Sequence, residues 1–266
     1  MSTITDTLAG NSIYAPRQAE FAYAETDRST QSDTQANALS GRPRFRALRV
    51  IGLTLAATLI FAGSSVAGGF LSGLVGGFAK SMQWLVTPET LMLIFQVGFY
   101  ASLAAVAFWR PRGLRSDQWW SKMGWGPTKV GLRLIGQVLG IQLLCLVWAA
   151  VTTVLAAQHG TPGKPNVGSM SLILAFVLLA PVVEEIFFRG WLQARAARLL
   201  PAWGATALTS VLFALAHYNG SFVKPLAILA LGVGTGWLRQ RSGSLIPGTL
   251  LHILNNGLVA ILIRLS

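Results

Sequence analysis

The chain has 266 residues, of which 53% are hydrophobic and 11% are charged, whereas soluble domains have roughly 25% charged residues. This composition excludes an ordinary soluble domain and indicates an integral membrane protein. The net charge of +12 would suit a nucleic-acid partner, but the Lys and Arg residues flank apolar segments and form no stripe on a soluble face. We therefore expect a lipid bilayer as partner and no nucleic acid.

Residues 1–45 are predicted to form a disordered cytoplasmic tail. Residues 1–40 are rich in Ser, Thr, Ala, Gln and Asp, and they contain no apolar run of signal-peptide length. Five of the nine acidic residues of the chain fall in this part. The transmembrane bundle is therefore expected to occupy residues 46–266.

Seven apolar stretches follow the tail, and each predicts a membrane helix. Several approach the roughly 20 residues that a helix needs to cross a bilayer. The stretches lie at about 50–77, 90–109, 134–157, 170–190, 203–218, 225–238 and 245–263. The predicted fold is an all-α, polytopic membrane helical bundle with about seven transmembrane helices. Residues 116–127, which mix Trp, Lys and Asp, predict an interfacial stretch between the second and third helices.

Glycines at four-residue intervals predict where two of these helices pack against neighbours. Gly69, Gly73 and Gly77 have this spacing in the first helix, and Gly232 and Gly236 have it in the sixth. Small residues at this spacing let membrane helices approach closely, so we expect both stripes to lie in helix contacts.

The basic residues predict the orientation of the bundle. With the tail inside, fourteen Lys and Arg residues fall on the inner flanks of the helices and four on the outer flanks. Short loops rich in Lys and Arg stay on the cytoplasmic side of the membrane. We therefore expect a cytoplasmic N-terminus and a location in the bacterial inner membrane.

Few strongly polar side chains lie inside the apolar runs, and these are the candidate functional residues. They are Glu184, Glu185, Arg189, His217, His252 and Asn256. A carboxylate in apolar surroundings costs several kcal/mol unless it is paired, neutralised or used. Each group alone could simply form a hydrogen bond between helices, which contributes about 0.6 kcal/mol to stability. The set, however, contains nearly every strong polar group of the membrane part.

Helix geometry separates the two glutamates. Glu185 and Arg189 are four residues apart, so they share a helix face and can form an ion pair. Glu184 lies about 100° around the helix from Glu185 and need not join that pair. One acid is therefore expected to be structural, while the other is left for a different role.

A hairpin that turns at Pro201 would bring a histidine to the free acid. Glu184 precedes this proline by 17 residues and His217 follows it by 16, so the two reach nearly the same height in antiparallel helices. His252 and Asn256 are four residues apart and share one face of the last helix. These four groups can therefore converge from three helices.

This set of groups is suited to amide hydrolysis. A carboxylate and an imidazole can hold a water molecule and take its proton, while a second imidazole and an amide can donate to the oxyanion. Zinc is the alternative, with Glu184, His217 and His252 as ligands. The HExxH pattern is absent, so we favour no metal and expect no cofactor.

Three short motifs resemble those of the CPBP family of intramembrane endopeptidases. This family, also called the ABI group, includes CAAX proteases and bacteriocin-processing enzymes. EEIFFRG at 184–190 matches the family pattern EExxxR, FALAH at 213–217 matches FxxxH, and HILNN at 252–256 matches HxxxN. The resemblance covers about 122–263, which would be the CPBP-like core.

The resemblance implies a helical bundle with three pairs of site residues. It implies that Glu184 and His217 activate the water, that His252 and Asn256 stabilise the oxyanion, and that Glu185 with Arg189 supports the site. It also implies an intramembrane protease of glutamate or metallo type.

We therefore expect an endopeptidase that cleaves a membrane-associated protein or peptide precursor, by CAAX-type or bacteriocin/leader-type processing. Two alternatives stay open. An ion- or proton-coupled transporter would use the polar cluster as a relay, although no inverted repeat is visible in the sequence. A catalytically inactive immunity or scaffold protein of the same fold would keep the cluster without using it.

Overall fold

The computed structural model describes residues 43–109, 116–126, 128, 131–157 and 170–265. Within these ranges the chain forms eight helices and no strand, which confirms the predicted all-α class for this part of the chain. The predicted tail lies outside the described residues except for residues 43–45. These three residues already belong to the first helix, which begins at Pro43.

The helices correspond to the predicted apolar runs, with one short helix added. They are α1 Pro43–Ser81, α2 Pro88–Ala107, α3 Ser116–Met123, α4 Leu132–Ala157, α5 170–196, α6 Ala202–Leu215, α7 Val223–Ser242 and α8 Ile246–Leu265. All seven predicted runs lie on helices, and α3 lies on the stretch predicted to be interfacial.

Four helices in the described part of the chain are long and apolar enough to cross a membrane. They are α1, α2, α4 over Leu132–Leu155, and α8. Helix α6 is apolar but has only 14 residues. The chain is therefore an integral membrane protein, while the count of about seven transmembrane helices stays a prediction.

Helices α1 and α2 are in close contact through Gly68. A Cβ atom on Gly68 would lie 2.6 Å from the backbone oxygen of Phe95 in α2. One turn further on, the Ser72 hydroxyl donates to the Leu91 carbonyl at 2.9 Å. These contacts show the close backbone approach that small residues permit in membrane helices.

The predicted glycine stripe of α1 is wrong by one residue. A Cβ on Gly69, Gly73 or Gly77 would meet no atom of the described residues within 4 Å, so these glycines do not lie in the contact with α2. The sequence carries two overlapping small-residue stripes, and α1 turns the stripe containing Gly68 toward its neighbour. The other predicted stripe is confirmed, since Gly232 of α7 would meet side chains of α6.

The loop after α3 is held against the turn between α7 and α8. Gly124 has a positive φ of 89°, and a Cβ there would overlap the guanidinium of Arg239 in α7. Its carbonyl accepts from the Leu245 N–H at 2.8 Å, and the Ser244 hydroxyl donates to the Gly126 carbonyl at 3.3 Å. The short helix α3 is thereby fixed to the bundle formed by α5 to α8.

Replacing Gly68 by Leu is expected to destabilise the protein, whereas Gly69→Leu is the matched control. Both changes gain similar helix propensity, but only the first forces a side chain against the backbone of α2. Overpacking costs about 1–3 kcal/mol, so the melting temperature of Gly68→Leu should be about 2–12 °C below that of Gly69→Leu. Thermal unfolding in detergent measures the difference, and equal melting temperatures would contradict the assigned contact.

Candidate active site

Helix α5 carries both glutamates, and it is irregular on either side of them. A π-helical segment spans Ala175–Leu179, an α-helical turn spans Ala180–Glu185, and a second π-helical segment spans Ile186–Gln193. Such π-helical insertions are frequent at functional sites, because they change the direction of side chains and free backbone groups. The site is thus built on a distorted helix.

Pro181 explains how α5 and α8 are joined. In the first π segment the Ala180 N–H donates to the Ala175 carbonyl, five residues back. The next carbonyl in this register, that of Phe176, would need the nitrogen of Pro181, which carries no hydrogen. The Asn256 side chain in α8 donates to this Phe176 carbonyl at 3.0 Å. One amide hydrogen of Asn256 is therefore used between the helices.

The Glu185 carboxylate lies at the centre of a buried network. Its Oε1 atom is 3.2 Å from Nη1 of Arg189, which confirms the predicted ion pair. The same oxygen is 3.1 Å from Nδ1 of His252 in α8. Nη2 of Arg189 donates to the Gly232 carbonyl of α7 at 2.9 Å. The Glu185–Arg189 ion pair therefore connects α5, α7 and α8.

Hydrogen bonds assign the same tautomer to both histidines. Nδ1 of His252 donates to Glu185, and Nδ1 of His217 donates to the Phe213 carbonyl at 2.9 Å. The Nε2 atoms then face Glu184, at 3.7 Å from its Oε2 atom for His217 and 3.9 Å for His252. As the hairpin spacing predicts, Glu184 and His217 meet, with His217 in the turn that follows α6.

The two oxygens of the Glu184 carboxylate have different surroundings. Oε1 accepts a hydrogen bond from the Tyr100 hydroxyl of α2 at 2.9 Å. Oε2 has no hydrogen-bond donor among the described residues and faces the two imidazoles. Separations of 3.7 and 3.9 Å are too long for direct hydrogen bonds and suit a bridging water. Oε1 is thus fixed by a hydrogen bond, whereas Oε2 is available to accept one from a water molecule.

Tyr100 is the site residue that sequence reasoning missed. It lies 84 residues before its partner Glu184, in an apolar run with no motif around it. A signal existed in the sequence, because a Tyr hydroxyl inside a membrane span usually finds a hydrogen-bond partner. That signal names no partner, so it could not place Tyr100 at the site.

Aromatic rings line the site. The ring of Phe213, which is fully buried, lies 4.9 Å from that of His217 and 5.5 Å from that of His252, between centroids. The Arg189 guanidinium lies 4.5 Å from the centre of the same ring, in a cation–π contact. These contacts restrict both imidazoles and exclude water from the ion pair.

Access to the site is from the side of His217. Its side chain is 24% exposed, compared with 7% for Glu184 and 3% for His252. The exposed rings of Tyr218 and Phe222 lie next along the chain and pack against each other. A substrate would therefore approach Glu184 past His217.

The site contains the donor types that zinc uses. A carboxylate oxygen and two imidazole nitrogens are donors that zinc uses. Within the described residues, however, no group of three or more His, Cys, Asp or Glu side chains has an arrangement that could hold a metal ion. Ligand type without placement does not make a metal site.

Five of the six predicted site residues form one connected group, and the sixth lies at its edge. The group contains Glu184, Glu185, Arg189, His217 and His252. Asn256 contacts the backbone of α5 instead. Chemically, the group can hold a water molecule beside a carboxylate and two imidazoles in a largely dry pocket.

Removing the Tyr100 hydroxyl is expected to destabilise the protein, because the buried Glu184 carboxylate would lose its donor. Hydrogen bonds to charged groups contribute about 1.5–3 kcal/mol, so Tyr100→Phe should lower the melting temperature by about 3–12 °C. Tyr218→Phe removes an exposed hydroxyl and is the control, with an expected change within about 0.5 kcal/mol. Thermal unfolding of both variants measures this, and equal stabilities would refute the assigned bond.

One comparison with known proteins gave a match. Residues 166–258 match the family model described as type II CAAX prenyl endopeptidase Rce1-like. No curated protein and no solved structure gives a significant match. All six predicted site residues lie inside the matched range, whereas Tyr100 and helices α1 to α4 precede it.

Proposed function

We propose that this chain, whose residues 166–258 match the Rce1-like family model, is a protease of that family and hydrolyses a peptide bond in a membrane-associated protein or peptide through a water molecule activated by Glu184. The family and the membrane helices together indicate an intramembrane protease. The observation that carries the proposal is the convergence of two Nε2 atoms on one oxygen of Glu184.

The first step is attack by water. A water molecule between Glu184 Oε2 and the Nε2 atoms of His217 and His252 gives a proton to the carboxylate, and its oxygen attacks the carbonyl carbon of the substrate. The carbonyl π bond breaks, and its electron pair moves to the oxygen. The proton goes to Oε2 because Oε1 stays bonded to the Tyr100 hydroxyl.

The second step is breakdown of the tetrahedral intermediate. The proton held by Glu184 passes to the amide nitrogen, the carbon–nitrogen bond breaks, and the amine leaves with that proton. In this scheme Nε2 of His252 takes a proton from solvent before the attack and keeps it throughout, so that it can donate to the oxyanion while the Glu185 carboxylate at 3.1 Å balances the charge on the ring. Oxyanion stabilisation of this kind is usually a large part of the rate enhancement.

Asn256 and Arg189 have supporting roles in this scheme. One N–H of the Asn256 amide donates to Phe176, and the second N–H is the proposed further donor to the oxyanion. Arg189 holds Glu185 in place by a charge-assisted contact at 3.2 Å. Tyr100 is a positioning residue, since it touches Glu184 and not the reacting atoms.

The proposed substrate is a membrane-anchored chain whose scissile bond lies near the bilayer surface. The family description names CAAX prenyl substrates, which carry a lipid on the processed peptide. The exposed Tyr218 and Phe222 rings beside His217 offer an apolar entrance for such a peptide. Leader-type precursors form the second substrate class. A transporter is not favoured, because the family match is to endopeptidases.

The proposed orientation has the N-terminus in the cytoplasm of a bacterium, at the inner membrane. The supporting observation is the excess of Lys and Arg on one set of helix flanks, fourteen against four. In this orientation the connection between α5 and α6 also faces the cytoplasm.

Glu184→Gln is expected to abolish peptide hydrolysis, because the amide cannot accept the proton of water. General base catalysis contributes about 10²–10⁴-fold, so kcat should fall by at least about 100-fold. Glu89→Gln, which removes an exposed carboxylate at the start of α2, should leave kcat unchanged. The assay uses purified protein in vesicles and internally quenched peptides: a prenylated CAAX peptide, its unprenylated form and a leader-type precursor.

The outcomes of this assay separate the alternatives. Cleavage of any peptide by wild-type protein, lost in folded Glu184→Gln, supports the protease. Cleavage that is the same in wild type and Glu184→Gln refutes the assigned base. If no peptide is cleaved by folded wild-type protein, the inactive scaffold is favoured. The preference between prenylated and leader-type peptides then assigns the substrate class.

Cleavage is expected to survive removal of metal ions, because the proposed base is a carboxylate and no metal takes part in the steps. Wild-type protein is dialysed against a strong chelator, its zinc content is measured by elemental analysis, and its cleavage rate is compared with that before dialysis. An unchanged rate at negligible zinc content is the expected result. A rate that is lost on chelation and restored by stoichiometric zinc would replace this scheme with a metalloprotease.

A further inference from the structure

A basic cavity lies away from the candidate active site, where the start of α1 meets the connection between α5 and α6. Its volume is about 550 Å³, which is in the usual range of ligand-binding pockets. Four arginines line it, two from each side, together with apolar residues of both walls. The arginines are Arg46, Arg49, Arg195 and Arg198, and we refer to this site as the arginine cavity.

No described carboxylate neutralises the arginine cavity. Among the described residues, none of these four arginines forms an ion pair with an Asp or Glu side chain. Glu89 lies at the start of α2, and this end of α2 packs near the far end of α1. Four guanidinium groups around one space therefore repel each other until an anion binds between them.

Arg195 provides a fixed point in the cavity. Its Nη1 atom donates to the Trp191 carbonyl at 3.0 Å, and its guanidinium lies 4.3 Å from the centre of the Trp191 ring. Arg195 lies outside the four candidate membrane spans, and burial together with repulsion from Arg198 lowers the pKa of its side chain to about 10. The group is still charged at neutral pH, and a fixed guanidinium has less freedom to lose when it binds an oxyanion.

The surroundings place the arginine cavity at the depth of lipid headgroups. The exposed apolar side chains of α1 begin with Phe45 and Leu48, at the same level of the helix as the first two arginines. The exposed ring of Trp203 lies at the start of α6, next to the cavity wall at Pro201. Aromatic and basic side chains at the end of an apolar helix are typical of the membrane interface.

We propose that the arginine cavity binds the phosphate of an anionic phospholipid headgroup. Arg guanidinium groups bind phosphate oxygens in bidentate fashion, and basic pockets between membrane helices are known to hold anionic headgroups. The apolar face of α1 would lie beside the acyl chains of the same lipid. This proposal does not depend on the hydrolytic activity, because the cavity contains none of the proposed catalytic residues.

The test compares two pairs of arginines that carry equal charge. Arg49→Gln with Arg198→Gln removes one exposed arginine from each wall of the cavity. Arg133→Gln with Arg241→Gln removes two exposed arginines at the start of α4 and near the end of α7. Both double variants lose the same net charge, so a general attraction between the protein and anionic lipid changes equally in the two.

Binding is measured on full-length protein in neutral detergent by native mass spectrometry, and thermal unfolding gives a second readout. The probes are dioctanoyl phosphatidylglycerol, dioctanoyl phosphatidylcholine and inorganic phosphate. We expect wild type and the Arg133/Arg241 variant to bind phosphatidylglycerol and to gain thermal stability from it. The affinity of the Arg49/Arg198 variant should be at least about tenfold weaker, since it loses two charge-assisted contacts.

Three results would overturn this proposal. Equal binding by the two double variants would show general surface attraction. Binding of inorganic phosphate as tight as that of phosphatidylglycerol would show a site for a soluble anion. If wild type binds no lipid until the five acidic residues before position 40 are neutralised, the N-terminal segment of the chain itself occupies the cavity.

Discussion

The buried carboxylate of Glu185 is the interaction on which the rest of the site depends. A charge in an apolar bundle is stable only with partners, and Glu185 has two, Arg189 at 3.2 Å and His252 at 3.1 Å. Because the carboxylate accepts from Nδ1 of His252, the Nε2 atom of that ring faces Glu184. Glu185, which takes no part in the proposed reaction, thus determines the surroundings of Glu184, the proposed base. The same network ties α5 to α7 through the Gly232 carbonyl.

The irregular backbone of α5 serves the same purpose. A regular α-helix satisfies its own carbonyls, but Pro181 and the π register leave the Phe176 carbonyl for a side chain of another helix. The Asn256 amide donates a hydrogen bond to the Phe176 carbonyl and so fixes α8 beside the glutamates. On the other side of the turn, the second π segment is entirely buried and carries Arg189 together with the aromatic residues of the core. The π-helical segments and the two candidate glutamates therefore lie in the same helix.

The part of the chain before the matched domain also contributes to both proposed sites. Helix α2 supplies Tyr100, whose hydroxyl holds one oxygen of Glu184. Helix α1 supplies one wall of the arginine cavity, while the end of α5 supplies the other. These helices are thus more than a membrane anchor: they complete the positioning of the acid and form a basic cavity at the expected level of the lipid headgroups. The proposed catalytic group and the arginine cavity are connected through the single helix α5.

The spacing of residues along the chain was sufficient to predict the helices and two of the contacts between site residues. The hydropathy runs predicted the helices, the four-residue spacing predicted the Glu185–Arg189 pair, and equal distances from Pro201 predicted the meeting of Glu184 with His217. The rotation of each helix against its neighbours could be seen only in the folded structure. That rotation places Gly68 rather than Gly69 at the α1–α2 contact. It also brings the Tyr100 hydroxyl into hydrogen-bond distance of Glu184 and the His252 ring against the Glu185 carboxylate. The physical reason is that helix periodicity is a property of neighbouring residues, whereas the face that a helix turns inward is chosen by packing with residues far away in the chain.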